Sequence, residues 1–211
     1  MGYIETLQGH AKKDVKMQKV FLDLMNKQAG KMERLISDLM SLSRLEIDEL
    51  KPISSTCSVK DIIEELVNSL KPLSIDNNVS LSFKIPKNFS AVIGDPSQLR
   101  QLFSKLIENA IKYSGKKSKV NIYISKEKNK DMFGVVVEDN GHGVAPEHLS
   151  RLTERFYRAN SSTEIEKEGT GLGLSIVKHI LIRHRGKLQI DSKPGKGSKF
   201  IAWLPKMKNT S

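Results

Sequence analysis

The chain contains one cysteine, one tryptophan and no long apolar run, and each scarcity removes a class of protein. A lone Cys57 rules out an internal disulfide framework and any zinc site built from several cysteines. No apolar stretch approaches the ~20 residues that a helix needs to cross a bilayer, and no basic-then-apolar leader opens the sequence. Aromatic residues are only 6% of the chain. Neither Lys116-Lys117-Ser118-Lys119 nor Lys126-Glu127-Lys128-Asn129-Lys130 is interleaved with rings, as a single-strand-binding groove would be. Hydrophobic residues nevertheless make up 38% of 211, which excludes a disordered chain and leaves enough apolar surface for a core. A soluble chain in a reducing, cytoplasmic compartment is expected.

What is abundant is lysine. The sequence holds 27 Lys and 8 Arg against 24 acidic residues, for a net charge of +11. Such a balance raises a nucleic-acid or membrane-surface partner as a possibility. The cations are spread along the whole length, however, and a solvated lysine surface accounts for them. A nucleic-acid partner is not expected; steeply salt-dependent DNA affinity would reveal one.

The longest helical signal runs from Met17 to Glu46. Phe21, Leu24, Met25, Gln28, Met32, Leu35, Ile36, Leu39 and Leu42 recur at spacings of three and four and form one stripe. Before it, Tyr3–Leu7 reads as the end of another helix and Gly9–Asp14 as the turn. The first arm of such a hairpin is too short to cover the second, so the stripe calls for a partner chain. After Lys51-Pro52 the pattern becomes mixed. It predicts a helix over Val59–Leu73 with Ser58 as cap, strands over Val79–Ile85 and Ala91–Ile93, and a helix over Pro96–Tyr113 capped by Asp95. Val120–Ser125 and Phe133–Glu138 read as neighbouring strands. A helix over Leu172–His184 stops at Gly186, and Lys187–Asp191 with Lys199–Leu204 closes the chain as a hairpin. The expected fold is α+β, a layered sandwich.

Three glycine clusters carry the chemical signal. Asp139-Asn140-Gly141-His142-Gly143 follows an apolar strand, Gly169-Thr170-Gly171-Leu172-Gly173-Leu174 opens a helix, and Gly195-Lys196-Gly197-Ser198 joins two strands. Glycines before a helix let backbone N–H groups approach a polyphosphate. Each cluster alone is equally a tight turn. The order is wrong for a dinucleotide fold, and no Gly-Lys-Ser/Thr follows a four-residue spacer as in a P-loop. On the helix before them, Asn109, Lys112 and Tyr113 fall at i, i+3 and i+4, so an amide, a cation and a ring share one face. An amide oxygen can hold a divalent metal, a lysine can neutralise phosphate, and a ring can cover a base. Alone, the triplet is an ordinary helix edge; with the glycine turns, in this order, it is specific.

In that combination the sequence resembles the bacterial two-component sensor histidine kinases. Leu106-Ile107-Glu108-Asn109-Ala110-Ile111-Lys112-Tyr113-Ser114 is similar to their N box, and Asp139-Asn140-Gly141-His142-Gly143-Val144 to their G1 box. Glu154-Arg155-Phe156-Tyr157-Arg158 resembles the F box, Gly169–Ser175 the G2 box and Gly195–Phe200 the G3 box. Gly2–Leu7 and Leu35–Arg44 are similar to the dimerisation hairpin of the phosphate-regulon sensors. The resemblance implies residues 1–50 as a truncated dimerisation and phosphotransfer hairpin. It implies residues 51–207 as a catalytic ATP-binding domain of the fold shared with gyrase and the ninety-kilodalton heat-shock chaperone.

By that resemblance the cofactors are ATP and Mg²⁺. Asp139 accepts the adenine amino group, Gly141 and Gly143 keep that wall open, and Asn109 holds the metal. Lys112 and Tyr113 lie against phosphate and nucleotide, with Asn109 and Lys112 as the catalytic pair. Gly169, Thr170, Gly171, Leu172, Gly173 and Leu174 complete the nucleotide site, and Ala159–Glu168 is the expected lid. Arg155 and Arg158 are candidates for phosphate or interdomain contacts, or plain surface cations.

Two departures stand out. Lys105 occupies a position where the family usually has a second Asn, on the face of Asn109, so that a cation is directed at the metal side. Thr153 replaces a usual aromatic. The family's acceptor motif, His-Glu/Asp-Leu-Arg-x-Pro, is not found, and none of His10, His142, His148, His179 or His184 has its neighbours. The expected partners are ATP, a histidine-bearing kinase chain or a second copy through residues 17–46, and a response regulator. The intact parent is expected at the inner membrane. A gyrase-like hydrolase is disfavoured because it uses a Glu near Lys105. A non-catalytic nucleotide-binding module stays open as the alternative.

Overall fold

A computed structural model describes residues 14–48, 52–86, 89, 91–125, 131–159 and 169–207. The expected first arm at Tyr3–Leu7 lies outside these residues, as does the turn apart from Asp14. The Asp14 carboxylate accepts the Met17 N–H at 3.0 Å and so caps the first helix.

That helix, α1, runs 34 residues from Val15 to Asp48. It is followed by β1 (Thr56–Cys57), α2 (Val59–Ser69), α3 (Lys71–Asp76), β2 (Ser80–Lys84), β3 (Val92–Ile93) and α4 (Pro96–Tyr113). Then come β4 (Lys119–Ile124), β5 (Met132–Asp139), α5 (Pro146–Leu149), α6 (Gly173–Arg183), β6 (Lys187–Lys193) and β7 (Gly197–Pro205). Where one helix is expected over Val59–Leu73, the structure has two. Pro72 has no N–H, and its ring collides with the carbonyl four residues back, so α2 stops at Ser69 and Leu70 leaves the helical region at ψ 0°. The short α5 is unforeseen: a four-residue turn leaves too little periodicity to read.

The five-stranded sheet has the order β2-β4-β5-β7-β6. β2 and β4 are parallel, which requires a crossover, and α4 supplies it. The remaining pairs are antiparallel. Val135 and Val137 of β5 point into the main core, where they join Leu102, Phe103, Leu106, Ile107 and Ile111 of α4 and Ile176, Val177 and Ile180 of α6. Val136 faces the other side with Ile201 and Trp203. The Trp203 indole N–H donates to Gln189 Oε1 at 3.0 Å, so the buried ring keeps its polar partner. The fold is therefore the α+β layered sandwich expected, with α1 preceding it.

Much of the α1 stripe is uncovered: Val20, Leu22, Met32, Ile36 and Leu39 are exposed. Its C-terminal turns are not, because Leu42 and Leu45 are buried in the main core. Among the described residues, no helix is long and apolar enough to cross a membrane.

One histidine pins two helices together. His184, at the end of α6, is 5% exposed. Its Nδ1 donates to the Ile180 carbonyl at 2.7 Å, and its Nε2 accepts the Asp95 N–H at 3.0 Å, at the start of α4. Accepting at Nε2 requires a neutral ring, and burial holds its pKa below the usual histidine value. The unfolded chain therefore binds a proton near pH 6.5 that the folded chain refuses. This contribution is complete above that pH and is lost as the pH falls toward the folded pKa. Chemical denaturation between pH 8 and 5 is expected to show a loss of stability that His184→Gln lacks. The variant should also start about 1–3 kcal/mol lower, because the Asp95 N–H loses its acceptor. Identical pH dependence in the two proteins would contradict this role.

Candidate functional site

At the end of β5 the chain makes a turn with almost no room for side chains. Asp139 is 8% exposed and accepts the Gly141 N–H at 2.8 Å. A Cβ on Gly141 would lie 2.3 Å from Ser114 Cα, so this turn rests directly on the end of α4. Gly143 has φ +68°, and a Cβ there would stand 2.0 Å from the Lys193 carbonyl oxygen. The hairpin between β6 and β7 meets it. The Gly195 N–H donates to the His142 carbonyl at 2.7 Å, and the Val144 N–H to Ser192 Oγ at 2.8 Å. Gly197, at φ +87°, would place a Cβ 2.0 Å from the Asp139 carbonyl oxygen. Two glycine clusters some fifty residues apart thus form one interlocked wall around one carboxylate. Burial pushes the Asp139 carboxyl up, against the N–H groups of Gly141 and Ser198, which favour its charge.

Helix α4 brings a polar face past this wall. Lys112 Nζ meets Glu108 Oε2 at 3.1 Å, and the Ser104 hydroxyl donates to the same carboxylate at 2.7 Å. Burial opposes the Glu108 charge, but Ser104, Lys112 and Lys105 together hold its pKa below the usual range. Tyr113 stands at the exposed edge, and Asn109 is half-buried. The Asn109 amide nitrogen lies 3.7 Å and its oxygen 4.0 Å from where a Cβ on Gly173 would be. The start of α6 thus lies directly beside the amide, at ordinary contact distance.

The start of α6 is shaped by its neighbours. Gly171, at φ +72°, packs on the backbone of Phe156, whose N–H donates to the Gly171 carbonyl at 2.9 Å. Phe156 itself sits at φ +63° with its ring exposed, an unusual conformation for an aromatic residue that this contact sustains. Thr170 Oγ1 accepts the Leu172 N–H at 3.3 Å, Leu172 is fully buried, and no side chain caps the helix. Gly169 is half-buried beside Thr170, and Leu174 packs on the core.

The structure brings Asn109, Lys105, Thr170 and Gly173 together and sets Asp139, Gly141 and Gly143 in the wall. Lys105 takes a different direction from the one expected. Its Nζ is 2.7 Å from Asp38 Oδ1 on α1, and Asp38 Oδ2 accepts the Thr170 hydroxyl at 2.8 Å. Arg155 forms an ion pair with Glu46 of α1, and its guanidinium also lies 3.4 Å from His179 Nε2. Arg158 is exposed. Of the expected lid, only Ala159 lies within the described residues.

Asp38 is the functional candidate that sequence reasoning missed. The available signal was its position: it lies three residues after Leu35 and four and seven before Leu42 and Leu45, on the face that is buried.

As for a metal, Asn109 offers one neutral amide oxygen, while Glu108 is already engaged. No cluster of three His, Cys, Asp or Glu that could hold a metal occurs among the described residues. That donor set fits Mg²⁺ carried in on phosphate oxygens, which keeps much of its water and takes few protein ligands.

The wall predicts a contrast between two neighbouring glycines. Both Gly195 and Gly197 have positive φ, but a Cβ on Gly195 meets nothing within 4 Å. Gly195→Ala is expected to cost about 1–2 kcal/mol, from backbone strain alone. Gly197→Ala adds a collision with rigid backbone and should cost clearly more in urea denaturation. Equal losses would mean that the two turns do not interlock.

Residues 94–208 match the model of the histidine kinase-, DNA gyrase B- and HSP90-like ATPases. The chain is 39% identical over 201 residues to the phosphate regulon sensor protein PhoR of Pseudomonas aeruginosa, spanning 94% of this chain and 44% of that one. It therefore covers less than half the length of that relative. Among solved structures, Acinetobacter baumannii histidine kinase AdeS matches with TM-score 0.71 and 23% identity, over 98% of this chain and 94% of that one. Histidine kinase ThkA, solved in complex with the response regulator protein TrrA, matches with TM-score 0.74 and 20% identity, over 99% and 57%. These last two likenesses concern the fold.

Proposed function

The chain belongs to the family of histidine kinase-, DNA gyrase B- and HSP90-like ATPases, and from that premise we propose that it binds Mg·ATP and donates the γ-phosphoryl group to a histidine. The observation that carries the reading is the interlocked wall around Asp139. Its buried carboxylate, held by backbone N–H groups, keeps acceptor capacity for an exocyclic amine. Gly141 and Gly143 let neighbouring backbone pack directly on this turn, which fixes the carboxylate in place. Residues 51–207 are the catalytic ATP-binding part, and α1 belongs to the dimerisation hairpin. A second copy of the chain, and a response regulator as acceptor in a two-component phosphorelay, are the partners this reading implies.

The chemistry is displacement at phosphorus. An imidazole nitrogen of the acceptor forms a bond to the γ-phosphorus as the bond to the β,γ-bridging oxygen breaks, ADP departs, and the imidazole loses its proton. Little covalent help is needed, so the residues act by position and charge. Asp139 selects the base. Lys112 and Tyr113 lie beside the nucleotide, and Gly169–Leu174 lead the backbone to the phosphates, where the uncapped start of α6 favours negative charge. Asn109 holds the metal, which supplies neutralisation of the phosphate charge. None of the histidines at 142, 148, 179 and 184 is the acceptor in this reading. His184 has both nitrogens on backbone groups, and His148 is bonded to the Tyr157 hydroxyl at 2.6 Å.

A second reading, nucleotide binding without transfer, is favoured by one observation: Lys105 stands where the family's second Asn is usual and is tied to Asp38.

Two measurements test these readings. In calorimetric titration with ATP and Mg²⁺, Asp139→Ala is expected to weaken binding by about 1–3 kcal/mol, roughly five- to 150-fold. Asp139→Asn, of the same shape, controls for folding and should also weaken it; unchanged affinity in both would remove Asp139 from the site. Incubation with labelled ATP and a histidine-intact hairpin from a matching kinase should give acid-labile label on that hairpin. Nucleotide binding without any label would favour the second reading.

A further inference from the structure

A carboxylate from α1 already sits between Thr170, a residue of the expected nucleotide site, and Lys105, which neighbours Asn109. Asp38 is 5% exposed, although Ser37, Leu39 and Met40 beside it face solvent. Both its oxygens are engaged: Oδ1 by Lys105 Nζ at 2.7 Å and Oδ2 by the Thr170 hydroxyl at 2.8 Å. These donors belong to the nucleotide end of the fold, not to α1. Lys105 runs past the start of α6, with its Cδ 3.9 Å from where a Cβ on Gly173 would be, beside Asn109. Thr170 is the residue whose hydroxyl also receives the Leu172 N–H. An ammonium and a hydroxyl are donors that suit an anion, and Asp38 is the anion they hold.

We infer that Asp38 is an internal competitor for the nucleotide phosphates, so that docking of this part of α1 and filling of the phosphate end of the site oppose each other. The inference rests on the nucleotide-binding reading above and adds to it a coupling between the site and the helix. Lys105 and Thr170 cannot give the same hydrogen bonds to a carboxylate and to a phosphate at once. Whichever anion holds them weakens the other, and by linkage the effect is reciprocal. The remaining anchors of α1 leave these donors untouched. Leu42 and Leu45 enter the core one to two turns further on, Glu46 pairs with Arg155, and the Asp48 carbonyl accepts from Arg183. Nucleotide is therefore expected to loosen the turns around Asp38 while the end of α1 stays docked. A cation in place of the family's usual second Asn acquires a purpose on this view, since an amide would hold neither anion as strongly.

The test uses the whole chain with a non-hydrolysable ATP analogue and Mg²⁺. Asp38→Asn is expected to lower the Kd five- to fifty-fold, and that gain should vanish when Lys105→Met is already present. Independently of any variant, saturating nucleotide should speed amide hydrogen exchange in residues 35–41 of the unaltered chain. A Kd unchanged or raised by Asp38→Asn, or exchange in 35–41 unaltered by nucleotide, would overturn the competition while leaving nucleotide binding intact. If neither the unaltered chain nor Asp38→Asn binds the analogue, both the competition and the nucleotide reading fall.

Discussion

Backbone lying against backbone, with no space for a Cβ between, is the constraint on which the site depends. Gly141 rests on the end of α4, Gly143 on the Lys193 carbonyl and Gly197 on the Asp139 carbonyl, each closer than a side chain permits. These contacts let the turn after β5 and the hairpin β6–β7 share one set of hydrogen bonds. A carboxylate at the centre of such a wall is desolvated yet still served by N–H donors, so it keeps its position and an acceptor oxygen. Larger residues would open the wall to water and let the carboxylate turn away. Rigidity here is a consequence of glycine, which is usually read as the flexible residue.

The other half of the site is held from outside. The start of α6 has no cap of its own. Its approach is fixed by Phe156, strained at positive φ, on one side, and by Asp38 from α1 on the other. Phe156 is clasped only through its backbone to Gly171, while its ring is exposed. The wall thus depends on steric fit between backbone segments, and the start of α6 depends on contacts from separate segments. A part of a site that is held by separable contacts is the part that can be moved.

How much of this was legible in the sequence follows from the range of each interaction. Caps and breaks are local, so Ser58, Asp95 and Pro96 place the helix starts to within a residue. The break at Pro72 was equally local and went unread because the apolar spacing continues through it. Alternation marked β4, whereas β5 was read from its apolar run and β7 from the glycine hairpin before it, because a strand buried on both faces loses period two. The glycine clusters marked turns, but that two of them lock together is a long-range fact carried by shape. The direction of Lys105 was invisible for the same reason: its partner lies 67 positions earlier, on a helix whose stripe was read as calling for a partner chain rather than for this domain.

Energetics explain why a polar anchor appears on α1 at all. Burying Leu42 and Leu45 contributes about 1.5–3 kcal/mol each, whereas the half-exposed Arg155–Glu46 pair is worth at most about 1 kcal/mol. The leucines therefore supply most of the docking, but leucines alone do not choose a register. A slide of one helical turn would bring either Arg34 or Leu42 against Lys105 and Thr170. Arg34 would oppose Lys105 with a like charge, and Leu42 would leave both donors without an acceptor, at a cost of about 1–3 kcal/mol. Asp38 is the residue that penalises both slides. A buried ion pair is weak evidence for stability but a well-attested device for register. On the proposed nucleotide-binding reading, the donors that fix the register are the ones a phosphate would also seek, so the alignment of α1 and the filling of the site would be read by the same two side chains.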